Sequence, residues 1–193
     1  LIRHLLAGAP GGRVVYDLKA SAVVTEEIAA AGGVGLLERP GPASLVRRYL
    51  AEDALLAGSL SGRYALRPCR GDDALYATLA LLRALDALGA TFAEAIDTVP
   101  EYPNTPDIRV PCTTPRALRV VEELRAAFAG QPLQVLDGVR IAFPDGWALA
   151  RPAVAEPLLT LRYEGRTREA LEAIQERVLR ASPTLQDVLA QGR

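Results

Sequence analysis

Five prolines crowd into a short middle stretch of this chain: Pro100, Pro103, Pro106, Pro111 and Pro115. Each fixes φ and removes a backbone N–H, so no helix can run through them. The expectation is a stiff, extended linker over 99–111. It would separate a first domain over 1–98 from a second over 112–193. Each piece is long enough to bury a core of its own.

Upstream, Arg13-Val14-Val15-Tyr16-Asp17-Leu18 follows Pro10-Gly11-Gly12 and reads as a buried strand. Ser21 caps a helix over 22–31, which Gly32-Gly33 stop. A second strand over 34–38, Pro40-Gly41-Pro42 and a helix near 44–51 come next. Leu55-Leu56-Ala57 and Tyr64-Ala65-Leu66 are strand candidates on either side of Gly58-Ser59-Leu60-Ser61-Gly62. Asp72 is expected to cap a long apolar helix reaching Leu88, and Thr91 and Glu94 have capping-box spacing for a shorter one. The alternation of strands and helices predicts an α/β domain, a mixed sheet flanked by helices.

Downstream, Thr114-Pro115 are expected to open a helix with Leu118, Val121, Leu124 and Phe128 on its packed face. Strands over 133–136, 139–143, 147–151 and 158–163 follow, with Asp137-Gly138 and Asp145-Gly146 as hairpin turns. A last helix over 167–180 repeats Leu171, Ile174 and Val178. Helix, meander, helix predicts an α+β domain, an antiparallel sheet with helices on one face.

Composition narrows the chemistry. A net charge of −1 argues against a nucleic-acid or polybasic membrane surface. No apolar run is long enough to span a bilayer, so no membrane role is expected. Cys69 and Cys112 lack CxxC spacing and suit a reducing, cytoplasmic setting. Lys19 is the only lysine beside 21 arginines, and His4 is the only histidine. A lone histidine at the chain's start leaves no zinc cluster and no Ser-His-Asp triad to assemble. A chain that starts with Leu1 and has no methionine is expected to be less than a full reading frame.

Four segments carry candidate sites. Ser59, Ser61, Gly62 and Arg63 lie in a loop that could hold a polar ligand on its backbone amides, or be a plain hairpin turn. Asp72-Asp73 read as helix-capping carboxylates rather than metal ligands. Arg151, before Pro152 and Ala153, would suit a phosphate, although Glu156 nearby would repel one. Lys19, at the end of the first strand, stands where α/β folds line their ligand crevices. It can meet a phosphate, move a proton, or be an exposed strand-end charge.

Taken together, these segments resemble the carboxyl-terminal half of the α-D-phosphohexomutase family, the phosphomannomutase/phosphoglucomutase enzymes. Val14-Val15-Tyr16-Asp17-Leu18-Lys19-Ala20-Ser21 is similar to the family's "vvyDvk-S". Ala57 to Tyr64 stands where the sugar loop "GGExSGHy" belongs, and Gly71-Asp72-Asp73 where "DDG" opens the next helix. Tyr102 to Cys112 resembles the joint between the third and fourth domains. Asp137 to Pro157 follows "DGvrv-fpDGWalvRpSNTEP", the last part being the phosphate loop.

The resemblance implies that 1–98 is the family's third domain and 112–193 its fourth. It implies a transfer of phosphoryl groups between the 1- and 6-positions of a hexose phosphate, through a phosphoserine and Mg²⁺. It gives Lys19 a catalytic position, Ser59, Ser61, Gly62 and Arg63 substrate-binding positions, and Arg151 a phosphate-binding one. The serine loop and the DGDxDR-like metal loop belong to the family's amino-terminal domains, and neither pattern occurs in these residues. No cofactor is therefore expected in this chain, with Mg²⁺ reserved for a complete family enzyme. A hexose phosphate and an amino-terminal mutase half are the expected partners.

Several site positions depart from the pattern. Gly41-Pro42-Ala43 stands for "GHS", Ser59 for the sugar-loop glutamate and Arg63 for its histidine. Ala153, Val154 and Ala155 replace the Ser, Asn and Thr of the phosphate loop. A framework kept with its site altered predicts a degenerate active site.

Overall fold

A computed structural model describes residues 1–153 and 156–191. The chain forms two compact units, Leu1–Glu101 and Tyr102–Arg193.

In the first unit, strands β1 (Arg13–Asp17), β2 (Val34–Glu38), β3 (Leu56–Gly58) and β4 (Tyr64–Leu66) make one sheet in the order β2-β1-β3-β4. The first three are parallel, and β4 returns antiparallel to β3. Val14 to Asp17 are all buried, as expected of a central strand covered on both faces. Helices α1 (Ile2–Ala7), α2 (Ala22–Ala30) and α4 (Ala74–Leu88) supply Leu6, Ile28 and Ala77 to one core. Helix α3 (Pro42–Ala51) supplies Leu45 and Tyr49 to a second core with Val15 and Ala57. Helix α5 (Phe92–Asp97) follows, opened by the capping box of Thr91 and Glu94.

Two local expectations need correction here. Asp73, not Asp72, caps α4, its carboxylate accepting from Tyr76 N at 2.8 Å. Asp72 instead bridges back to Ala65 of the β3–β4 hairpin. Helix α3 begins at Pro42, two residues earlier than expected, because proline suits a first helical turn. The outer face of α4 exposes Leu75, Leu79 and Leu82.

In the second unit, β5 (Ile108–Pro111), β6 (Leu133–Gln134), β7 (Val139–Phe143), β8 (Gly146–Pro152) and β9 (Leu158–Gly165) form an antiparallel sheet. Its order is β5-β9-β8-β7-β6. Helices α6 (Thr114–Ala127), α7 (Arg168–Ala181) and α8 (Pro183–Gln191) cover one face. Val120, Leu124, Ile174 and Leu185 there meet Ile141, Ala148 and Leu159. Alternate residues, Arg140, Trp147, Arg151, Arg162 and Glu164 among them, point to the opposite face. On it Arg140 stacks 4.0 Å above the Trp147 ring, and Trp147 Nε1 donates to Glu164 Oε1 at 2.8 Å.

The proline-rich stretch is not linker throughout. Residues 108–111 are β5, the sheet's edge strand, paired with Leu158–Leu161 of β9. Upstream, Thr105 N donates to Tyr163 O and Gly165 N to Pro103 O, each at 2.9 Å. An edge strand tolerates prolines because one side of its backbone needs no partner strand. Helix α6 has Thr113 as its N-cap, without a side-chain cap bond, and Leu118 points outward, 52% exposed. Ala117 and Val120 take the core positions beside Val121 and Leu124.

Candidate functional site

In the first unit, the carboxyl ends of the parallel strands place Glu38 opposite Asp17 and Gly58 opposite Tyr16. Leu18 N donates to Glu38 O at 3.0 Å, which brings the turn carrying Lys19 over the sheet's end. Asp17 is buried there, 3% exposed. Its Oδ1 accepts from Lys19 N at 2.8 Å and its Oδ2 from Leu60 N at 3.3 Å. Lys19 is half-buried.

The loop from Ser59 to Arg63 closes on itself. Ser59 N donates to Arg63 O at 3.1 Å and Gly62 N to Ser59 O at 3.0 Å. Gly62 takes φ +78°, a conformation that favours glycine. Ser59 Oγ and Ser61 Oγ share a hydrogen bond of 2.8 Å, so the two hydroxyls stand together. Ser61, Gly62 and Arg63 are exposed. The Arg63 guanidinium pairs with Asp72, Nη1 to Oδ2 at 2.9 Å, and Tyr64 N donates to the other Asp72 oxygen at 3.3 Å. A shallow depression lies beside this pair, lined by Pro42, Leu45, Val46 and Tyr64. Pro42 is thus both the first residue of α3 and part of that lining.

In the second unit, Arg151 near the end of β8 is opposite Thr160 of β9, which is in turn opposite Arg109 of β5. Arg151 Nη2 pairs with Asp137 Oδ2 at 2.8 Å, both side chains mostly buried. Its Nε is buried and has no hydrogen-bond partner among the described residues. The Asp137–Gly138 turn presses on β8 so closely that a Cβ at Gly138 would stand 2.2 Å from Ala150 O. Arg109 forms an ion pair with Glu156. Ala153 N donates to Leu158 O at 2.9 Å. Val154 and Ala155 lie outside the described residues.

The structure therefore brings Ser59, Ser61, Gly62 and Arg63 into one loop, linked to the Lys19 turn through Asp17. Arg151 belongs to the second unit. Sequence reasoning missed the linking function of Asp17, the Asp137–Arg151 pair and the Arg109–Glu156 pair. A charged residue closing an otherwise apolar strand was the available signal for Asp17. The two ion pairs join residues far apart in sequence and left no local signal. Among the described residues, no three His, Cys, Asp or Glu side chains gather where a metal ion could sit.

The chain thus pairs an α/β unit that has a loop at its strand ends with an α+β unit that has an arginine near a strand end. Residues 108–181 match the phosphoglucomutase/phosphomannomutase C-terminal domain. Over 91% of its length the chain is 33% identical to a phosphoglucomutase of Neisseria gonorrhoeae, covering 40% of that protein. It is 31% identical to a phosphomannomutase/phosphoglucomutase of Pseudomonas syringae pv. tomato, over 86% of the chain and 37% of the relative. A phosphoglucomutase/phosphomannomutase family protein from Burkholderia thailandensis has the same fold, with a TM-score of 0.79 and 28% identity. That likeness covers 93% of this chain and 41% of that one. The chain belongs to the α-D-phosphohexomutase family and matches its carboxyl-terminal half. Its two units are the family's α/β third and α+β fourth domains. It spans about 40% of the length of these relatives.

Proposed function

We propose that these residues bind hexose phosphates weakly and do not by themselves transfer a phosphoryl group. In this reading Lys19, Ser59, Ser61, Gly62 and Arg63 are the first unit's ligand contacts, and Arg151 is the second's. The observation that carries it is the state of the two arginines. Each already faces a carboxylate, Asp72 at 2.9 Å and Asp137 at 2.8 Å. An incoming phosphate must displace or tolerate that negative charge, and a charge-assisted hydrogen bond is worth roughly 1.5–3 kcal/mol. The family's glutamate, by resemblance, spans sugar hydroxyls that the shorter Ser59 does not reach. The active site is degenerate in this sense: its framework stands while the side chains that grip the ligand are altered.

A second reading has one observation in its favour. The relatives that the chain matches are named as mutases, and it covers about 40% of each. In that reading the chain is part of an active phosphohexomutase whose phosphoserine and Mg²⁺-binding domains lie upstream or on another chain. Mg²⁺ would then belong to those domains. Among the described residues no helix is long and apolar enough to cross a membrane. The free thiols of Cys69 and Cys112 suit our placement of the protein in the cytoplasm.

Titration calorimetry with glucose 1-phosphate and mannose 6-phosphate tests the first reading. We expect dissociation constants in the millimolar range, weakened about tenfold by Lys19→Ala and by Arg151→Ala. Heat that is identical in wild type and both variants would remove these residues from the proposal.

A further inference from the structure

The first unit's candidate ligand residues lie on two separate pieces of chain, the turn after β1 and the loop 59–63 between β3 and β4. One buried carboxylate touches both. Asp17 accepts from Lys19 N at 2.8 Å and, 43 residues away in sequence, from Leu60 N at 3.3 Å. The loop has little else to anchor its tip. The Leu60 side chain is 52% exposed, and Ser61, Gly62 and Arg63 are exposed as well. The internal bonds of the loop close it without fixing where it points, and the Arg63–Asp72 pair ties down only its far end.

We propose that Asp17 is a positioning residue: it holds the 59–63 loop against the Lys19 turn and so sets the spacing between Ser59, Ser61 and Lys19. Asp17 makes no ligand contact, being 3% exposed. It acts through two backbone amides. A buried carboxylate is tolerated only when hydrogen bonds replace its lost hydration, so breaking the Leu60 contact is unfavourable and the loop stays docked. The effect on affinity rests on the hexose-phosphate reading above; the docking of the loop does not.

Amide hydrogen exchange followed by NMR separates the two. In the wild-type chain the Leu60 amide should exchange at least tenfold more slowly than the Ser61 amide of the same loop. Asp17→Asn keeps the size of the side chain but turns an NH₂ group toward one of the two amides. It should speed Leu60 exchange about tenfold or more and leave the β1–β2 ladder amides unchanged. It should also raise the dissociation constant for glucose 1-phosphate about tenfold. Unchanged Leu60 exchange in the variant overturns the proposal, as does unchanged affinity with a loosened loop. If the variant does not fold, the wild-type comparison decides: Leu60 exchanging as fast as Ser61 overturns it. Wild-type protein that does not bind glucose 1-phosphate defeats the functional reading alone, and the exchange measurement still decides the function of Asp17.

Discussion

At the scale of single residues, the Asp137–Arg151 pair is where stability and ligand affinity oppose each other. Both side chains are mostly buried, so removing one charge leaves the other uncompensated. Asp137→Asn should lower stability by about 1–3 kcal/mol. Phosphate should restore part of that loss, because the freed guanidinium then takes an anion from solution. Thermal unfolding with and without phosphate measures both effects, and a variant indifferent to phosphate would show that Arg151 is purely structural. The adjacent turn is as demanding. Gly138 has φ +79° and no room for a Cβ beside Ala150 O, so Gly138→Ala should cost about 2–3 kcal/mol in denaturant unfolding. Sequence reading marked Asp137-Gly138 only as a hairpin turn. The ion pair depends on the register of β7 and β8, which sets Val139 opposite Ala150 and is invisible in local sequence.

At the scale of elements, caps and joints decide where helices begin and how they meet. Asp73 caps α4 through Tyr76 N, whereas Asp72 makes an exposed ion pair with Arg63. Asp73→Ala should therefore cost about 1 kcal/mol. Asp72→Ala should cost less, since exposed pairs contribute about 0–1 kcal/mol; the reverse order in unfolding titrations would return the cap to Asp72. In the second unit, Glu123 of α6 fastens the turn between α7 and α8. It accepts from Ser182 Oγ at 2.6 Å, Thr184 Oγ1 at 2.7 Å and Thr184 N at 3.2 Å. Burial alone would raise its carboxyl pKa, but these hydrogen bonds outweigh burial and hold it below the ordinary value of 4.5. A lowered folded value means that the contribution is present above about pH 4.5 and is lost as pH falls through the folded value. Glu123→Gln should thus be less stable than wild type at neutral pH, with the gap narrowing below that value. A gap independent of pH would contradict this origin. The sequence made most elements legible, because β1 is a β-rich run after Pro10-Gly11-Gly12, Ser21 caps α2, and α7 repeats Leu171, Ile174 and Val178 on its buried side. It misled at Leu118, where a leucine was assigned inward although smaller Ala117 and Val120 fill the core. It misled again at 108–111, because an edge strand with proline looks like linker until its partner β9 is known.

At the scale of the whole molecule, each unit has its own buried core and its own candidate ligand residues. The family was legible because framework segments such as Val14 to Ser21 and Asp137 to Trp147 keep their order along the chain. The state of the site was less legible. A sequence shows that Arg63 and Arg151 are present, but only the fold shows that Asp72 and Asp137 already occupy them. In the function we propose, these residues bind a hexose phosphate without moving its phosphoryl group. The most direct test is ³¹P NMR of the chain mixed with glucose 1-phosphate, Mg²⁺ and a trace of glucose 1,6-bisphosphate. We expect a glucose 1-phosphate resonance that broadens or shifts with protein concentration and no glucose 6-phosphate signal. Growth of a glucose 6-phosphate resonance, catalysed by this chain alone, would contradict it.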